Sequence, residues 1–195
     1  MTRIERPVDP GAVFAGWVGL GVALLVAIGL ELIVAIQALV FVVAPAAGLL
    51  VGYYAEARSG RRRPWARVLA NAAYAGLVTG LALALLYGGL RLLFVYADTG
   101  FPDFNRAGQP TCPTGPGCTY ARYVRLGQGE ELAGRGITDA AGFERAVLAE
   151  QLNGGFLLTA GTLLGALGGG LIYGATTRPA EGPRTAAVPA SDGPF

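Results

Sequence analysis

Between Phe14 and Tyr54 the chain carries only two strongly polar side chains, Glu31 and Gln37. A helix crossing about 30 Å of hydrocarbon at about 1.5 Å per residue needs about 20 residues, so this run is twice too long for one crossing and must double back. The pattern predicts a first span near 13–31 and a second near 34–55, joined by a tight turn around Gly29, Leu30, Glu31 and Leu32. Two more apolar runs, 65–96 and 156–176, are each bounded by polar or proline-rich sequence and predict a third and a fourth span. A cleaved signal peptide does not account for the first run, because the apolar sequence continues past any small-residue cleavage site into the second.

The expected fold is therefore an all-α integral membrane protein, a four-transmembrane-helix bundle. Residues 1–12 form a cytoplasmic N-terminus and 13–97 hold transmembrane helices 1–3. Residues 98–155 form a long extracytoplasmic loop, 156–176 the last span, and 177–195, rich in Pro, Ala and Gly, a disordered cytoplasmic tail.

Arginine placement sets the expected orientation. Arg58, Arg61, Arg62, Arg63 and Arg67 crowd the link between the second and third spans, Arg3 and Arg6 precede the first, and Arg178 and Arg184 follow the last. The first hairpin turn has none. The positive-inside rule then puts both termini inside, and a bacterial cytoplasmic membrane is the expected location. Arg58 and Arg61 to Arg63 act first as topology determinants and, beside an anionic leaflet, as lipid contacts.

Small residues recur every fourth position in three spans: Ala44, Gly48 and Gly52; Ala72, Gly76, Gly80, Ala84 and Gly88; and Gly161, Gly165 and Gly169. Positions four apart share a helix face, and without side-chain bulk two backbones can approach closely. These stripes predict tight helix packing, either within one bundle or against a second copy or a larger membrane complex. Polar groups inside the spans are few. Arg91, within two turns of Asp98, is expected to pair with Glu31 at the first hairpin turn, because a guanidinium just inside the boundary must snorkel or find a carboxylate.

The loop opens with DTGFPDFNRAGQPTCPTGPGC, whose prolines and glycines predict irregular structure from Asp98 to Cys118. Cys112 and Cys118 enclose a short Pro/Gly turn, and on an oxidising face they are expected to form a structural disulfide. From Tyr120 to Gly136 the sequence is polar and glycine-broken. Thr138 can then cap an amphipathic helix over about 139–152, which gathers Phe143, Val147 and Leu148 on one side before Asn153, Gly154 and Gly155 turn the chain into the last span.

Composition narrows the chemistry. The sequence has no histidine, and all fifteen cations are arginine against thirteen carboxylates, a net charge of +2. Imidazole bases, His-ligated haem and His-containing zinc sites are excluded, as are phosphate-binding or Schiff-base lysines. The small cationic excess argues against a nucleic-acid partner. Four spans with a large second outer loop resemble tetraspanins in outline, but the cysteine signature of that loop is missing. Quinone-coupled thiol oxidation would need a second cysteine pair. The sequence thus predicts no enzyme, cofactor or metal, but an accessory, assembly or scaffold subunit. A small oligomeric transporter or channel component is the alternative, and membrane lipids are the partners common to both.

Overall fold

The computed structural model describes residues 7–33, 37–60, 64–99, 101–102, 112 and 114–177, without the side chains of 31–33 and 37. All regular structure among them is helical: α1 Pro10–Ala27, α2 Gln37–Ala57, α3 Trp65–Tyr96, α4 Pro116–Tyr123, α5 Gly129–Gly134 and α6 Ala140–Thr176. Four of these, α1, α2, α3 and α6, are long and apolar enough to cross a membrane. They define a multi-pass helical membrane protein.

Consecutive long helices run antiparallel, which leaves α1 parallel to α3 and α2 parallel to α6. Ala12 packs with Ala55 and Ala75 at one end, and Ala27 with Val40 and Tyr87 at the other. The central pair α2 and α3 is flanked by α1 on one side and α6 on the other. We call the end where α1 and α3 begin and α2 and α6 finish the arginine end, and the opposite one the loop end.

Helix lengths explain the division of labour. At 32 and 37 residues, α3 and α6 exceed the about 20 residues that hydrocarbon requires. Phe41, near the start of α2, meets Tyr87 of α3 and Gly154 of α6, and Leu30 packs against the same core. Beyond that level α3 and α6 continue as a two-helix stalk, and α4 and α5 fold onto it. Val95 of α3 packs there with Leu132, Ile137, Phe143 and Val147, forming a small core separate from that of the bundle.

The loop end departs most from the sequence expectation. Residues 28–33 continue α1 as a π-helical turn, so the helix runs through the positions expected to reverse the chain. Regular structure begins within the stretch expected to be irregular, because Pro116 occupies the start of α4, where its missing N–H is no loss, behind Gly115 at φ 123°. The expected break from Tyr120 to Gly136 is instead α4, a π-helical turn kinked at Gly127 (φ 81°), and α5.

The amphipathic segment and the last span are one uninterrupted helix, α6. Its N-cap is Asp139, whose Oδ1 accepts the Gly142 N–H at 2.6 Å, in place of Thr138. Asn153, on the exposed side, stays helical with Gly154 and Gly155, whose missing side chains leave space that neighbours fill. A Cβ on Gly154 would lie 2.9 Å from the Tyr87 ring, and one on Gly155 would lie 3.5 Å from Ala84.

Candidate functional site

The α6 seam is where the small-residue stripes meet. A Cβ on Gly48 would run into the Thr162 carbonyl, one on Gly52 into that of Ala166, one on Gly165 into that of Pro45 and one on Gly169 into that of Leu49. Backbone therefore lies directly on backbone along α2 and α6. On the α3 side, a Cβ on Gly80 would lie 2.9 Å from Thr159 Cα and one on Gly76 2.5 Å from the Ala166 methyl. Gly161 meets only the Pro45 ring, at 3.5 Å, and Gly88 only the Gln151 Cβ, at 4.0 Å. The stripes are thus occupied inside the chain, tightly at Gly48, Gly52, Gly76, Gly80, Gly165 and Gly169 and loosely at the other two.

Hydroxyls at the helix contacts are turned onto backbone, Thr79 beside Gly19 of α1 and Thr159 and Thr162 in the α6 seam. Thr79 donates to the Ala75 carbonyl at 2.8 Å, Thr162 to Leu158 at 2.7 Å and Thr159 to Gly155 at 2.8 Å. Such bonds satisfy the hydroxyls within their own helices.

Stronger polar chemistry gathers at the two ends. At the arginine end, Asn71 is wholly buried and holds Asp9 through two bonds. Its Oδ1 accepts the Asp9 N–H at 3.0 Å, and its Nδ2 donates to Asp9 Oδ2 at 2.7 Å. Near Asn71 lies Glu56, a carboxyl group only 3% exposed whose Oε1 has no partner. The buried Ser59 hydroxyl, also without a partner, lies beside Gly11. A buried polar atom left unmatched costs about 1–3 kcal/mol, and more when charged. Arg58, on the exposed side, lays its guanidinium over Phe14 and Tyr54, at 5.3 and 5.7 Å from the ring centroids, and donates from Nε to the Tyr54 hydroxyl at 3.0 Å. Arg61, Arg62 and Arg63 lie outside the described residues.

At the loop end, α4 serves as a cap for α3. A helix leaves its last four carbonyls without intrahelical donors. Thr119 donates to the Val95 carbonyl at 3.0 Å, and the buried Arg122 Nη1 donates to the Asp98 and Phe101 carbonyls, both at 3.2 Å. A cation there also complements the negative end of the α3 dipole. Tyr96 donates to Glu144, tying α3 to α6 outside the small core. Cys112 and Cys118 lie with Cα atoms 5.8 Å apart, a span that a disulfide bridges.

Arg91, expected to pair with Glu31, places its guanidinium 5.1 Å from the Phe101 ring centroid, with its charge near the Tyr123 phenol. The Glu31 side chain lies outside those described. Burial pushes the Tyr123 phenol above its ordinary range, and the Arg91 charge works against that shift. Among the described residues no group of three or more Cys, Asp or Glu gathers in a metal-binding arrangement.

Three features escaped the sequence reading: Glu56, Arg122 and Gln151. Glu56 had a legible signal, since it continues the Gly48–Gly52 stripe by one more step of four and so lies on the packed face. Arg122 had none, because its role depends on where the end of α3 comes to lie. Comparison of the chain with protein-family models, with curated proteins and with solved structures found no match.

Proposed function

We propose that the protein is a non-enzymatic scaffold or accessory subunit of a bacterial inner membrane, with both termini inside, which presents the loop-end cap to a membrane-protein partner. The observation that carries this reading is the pairing of a backbone-on-backbone seam at Gly48, Gly52, Gly165 and Gly169 with a separate core holding α4 and α5 to the stalk. Close-packed interiors transmit position rather than deform, so such a bundle holds the cap at a set height and angle above the bilayer. With the tight stripes engaged internally, the cap and the lipid-facing flanks are the surfaces left for a larger complex or a second copy. Purification from native membranes in mild detergent, followed by identification of stoichiometric companions, tests the proposal.

A small oligomeric transporter is the second reading. It is favoured by the buried Glu56 carboxyl group, near the Asp9–Asn71 pair, since ionisable groups buried in a span mark ion pathways elsewhere. Proton or sodium flux into liposomes, lost in Glu56→Gln, would support it.

A further inference from the structure

On the flank of the α3–α6 stalk away from α2 runs a groove of about 570 Å³, lined by Leu81, Ala84, Leu85, Gly88, Gly89 and Leu92 and by α6 from Leu148 to Thr159. Its volume falls within the range of small-ligand sites, about 300–1,000 Å³. We propose that this groove binds one chain of a membrane glycerolipid, with the ester carbonyl taking a hydrogen bond from Gln151. The inference rests on the reading of the four long helices as membrane spans.

Register along the helices sets the depth of the groove. Gly174 meets Trp65 at the arginine end, and about 20 residues of helix from that contact lead to Ala84 and Gly155, which face each other. The hydrocarbon boundary thus falls across the middle of the groove, and the Gly88–Gln151 contact lies one turn beyond it. That is the level of a glycerol ester.

Gln151 supplies the polar end of the site. It lines the groove, is 7% exposed, and neither its Nε2 nor its Oε1 has a hydrogen-bond partner. A carboxamide offers two donors and an acceptor, and an ester carbonyl accepts one of the donors. The shape selects a chain over a helix. Leu85, Leu152 and Phe156 are 75%, 76% and 73% exposed and stand proud of Ala84, Gly88 and Gly155. A helix about 10 Å across would rest on those three side chains without reaching Gln151.

The test reconstitutes the full chain in phosphatidylcholine vesicles containing a trace of phosphatidylcholine with a photoactivatable diazirine in its acyl chain, and maps the crosslinks by mass spectrometry. Label on 81–92 and 148–159 should exceed that on Leu25 and Leu50, which face ordinary lipid, severalfold. A Cβ on Gly89 points into open space, so Gly89→Trp should fill the groove and abolish its label while Leu25 and Leu50 stay labelled. Gln151→Leu should weaken groove labelling about fivefold, the loss of one hydrogen bond, with helicity unchanged. Even labelling around the bundle, groove label that survives Gly89→Trp, or crosslinks from this face to a second copy would overturn the lipid site. Absence of label at Leu25 and Leu50 as well would overturn the membrane reading on which it rests.

Discussion

Arg122 of α4 donates from a buried guanidinium to the carbonyl of Asp98, one residue past the capped end of α3. Through this contact and that of Thr119 with Val95, the loop-end cap is fastened to backbone that a helix terminus cannot satisfy for itself.

Arg122→Leu should therefore loosen the cap without unfolding the bundle. Hydrogen bonds to charged groups contribute about 1.5–3 kcal/mol, and Arg122 makes two of them to the backbone beyond α3. Hydrogen exchange should speed up over α4 and the stalk part of α6 while residues of α2 stay protected. Equal acceleration throughout would mean that cap and bundle form one cooperative unit.

The seam predicts an asymmetry among glycines. Gly52→Leu or Gly165→Leu forces a side chain into an opposing backbone and should lower the temperature of thermal aggregation in detergent strongly, since overpacking costs about 1–3 kcal/mol or more. Gly21→Leu, at a position with open space beyond it, should be neutral. Similar effects from all three would contradict the seam.

Cys112 and Cys118 are expected to be bonded to each other in the native membrane. Alkylation before reduction should label neither, and replacing both by serine should cost at most about 2–3 kcal/mol, because so short a loop restrains the unfolded chain only modestly. Labelling of both thiols in the unreduced protein would refute the bond.

Orientation is tested by single cysteines in a background without the native pair. Gln128→Cys and Gly60→Cys both fall at exposed positions, at the loop end and the arginine end respectively. An impermeant reagent should modify position 128 in intact cells and spare position 60. The opposite pattern would reverse the orientation.

What the sequence revealed follows from the range of each interaction. The bounds of α3 were legible because Trp65–Tyr96 is set off by Pro64 on one side and Asp98 on the other. The stripes at Gly48, Gly52, Gly76, Gly80, Gly165 and Gly169 were legible as faces because helical periodicity is local. Their partners were not, since sequence alone gives no choice between an internal and an external neighbour. Reading a break at Asn153–Gly155 failed because glycine weakens a helix by propensity alone, and here Tyr87 and Ala84 override that preference. The roles of Arg122 and Gln151 depend on packing between elements far apart in the chain, which no local pattern encodes.

The most direct test of the proposed role is native mass spectrometry of the protein taken from its own membrane in mild detergent. A scaffold subunit should appear chiefly as a defined assembly, its 20.0 kDa chain joined by a protein partner at fixed ratio and released from that partner by Arg122→Leu. A lone chain carrying only lipid, together with solute flux by the same preparation in liposomes, would contradict the scaffold account.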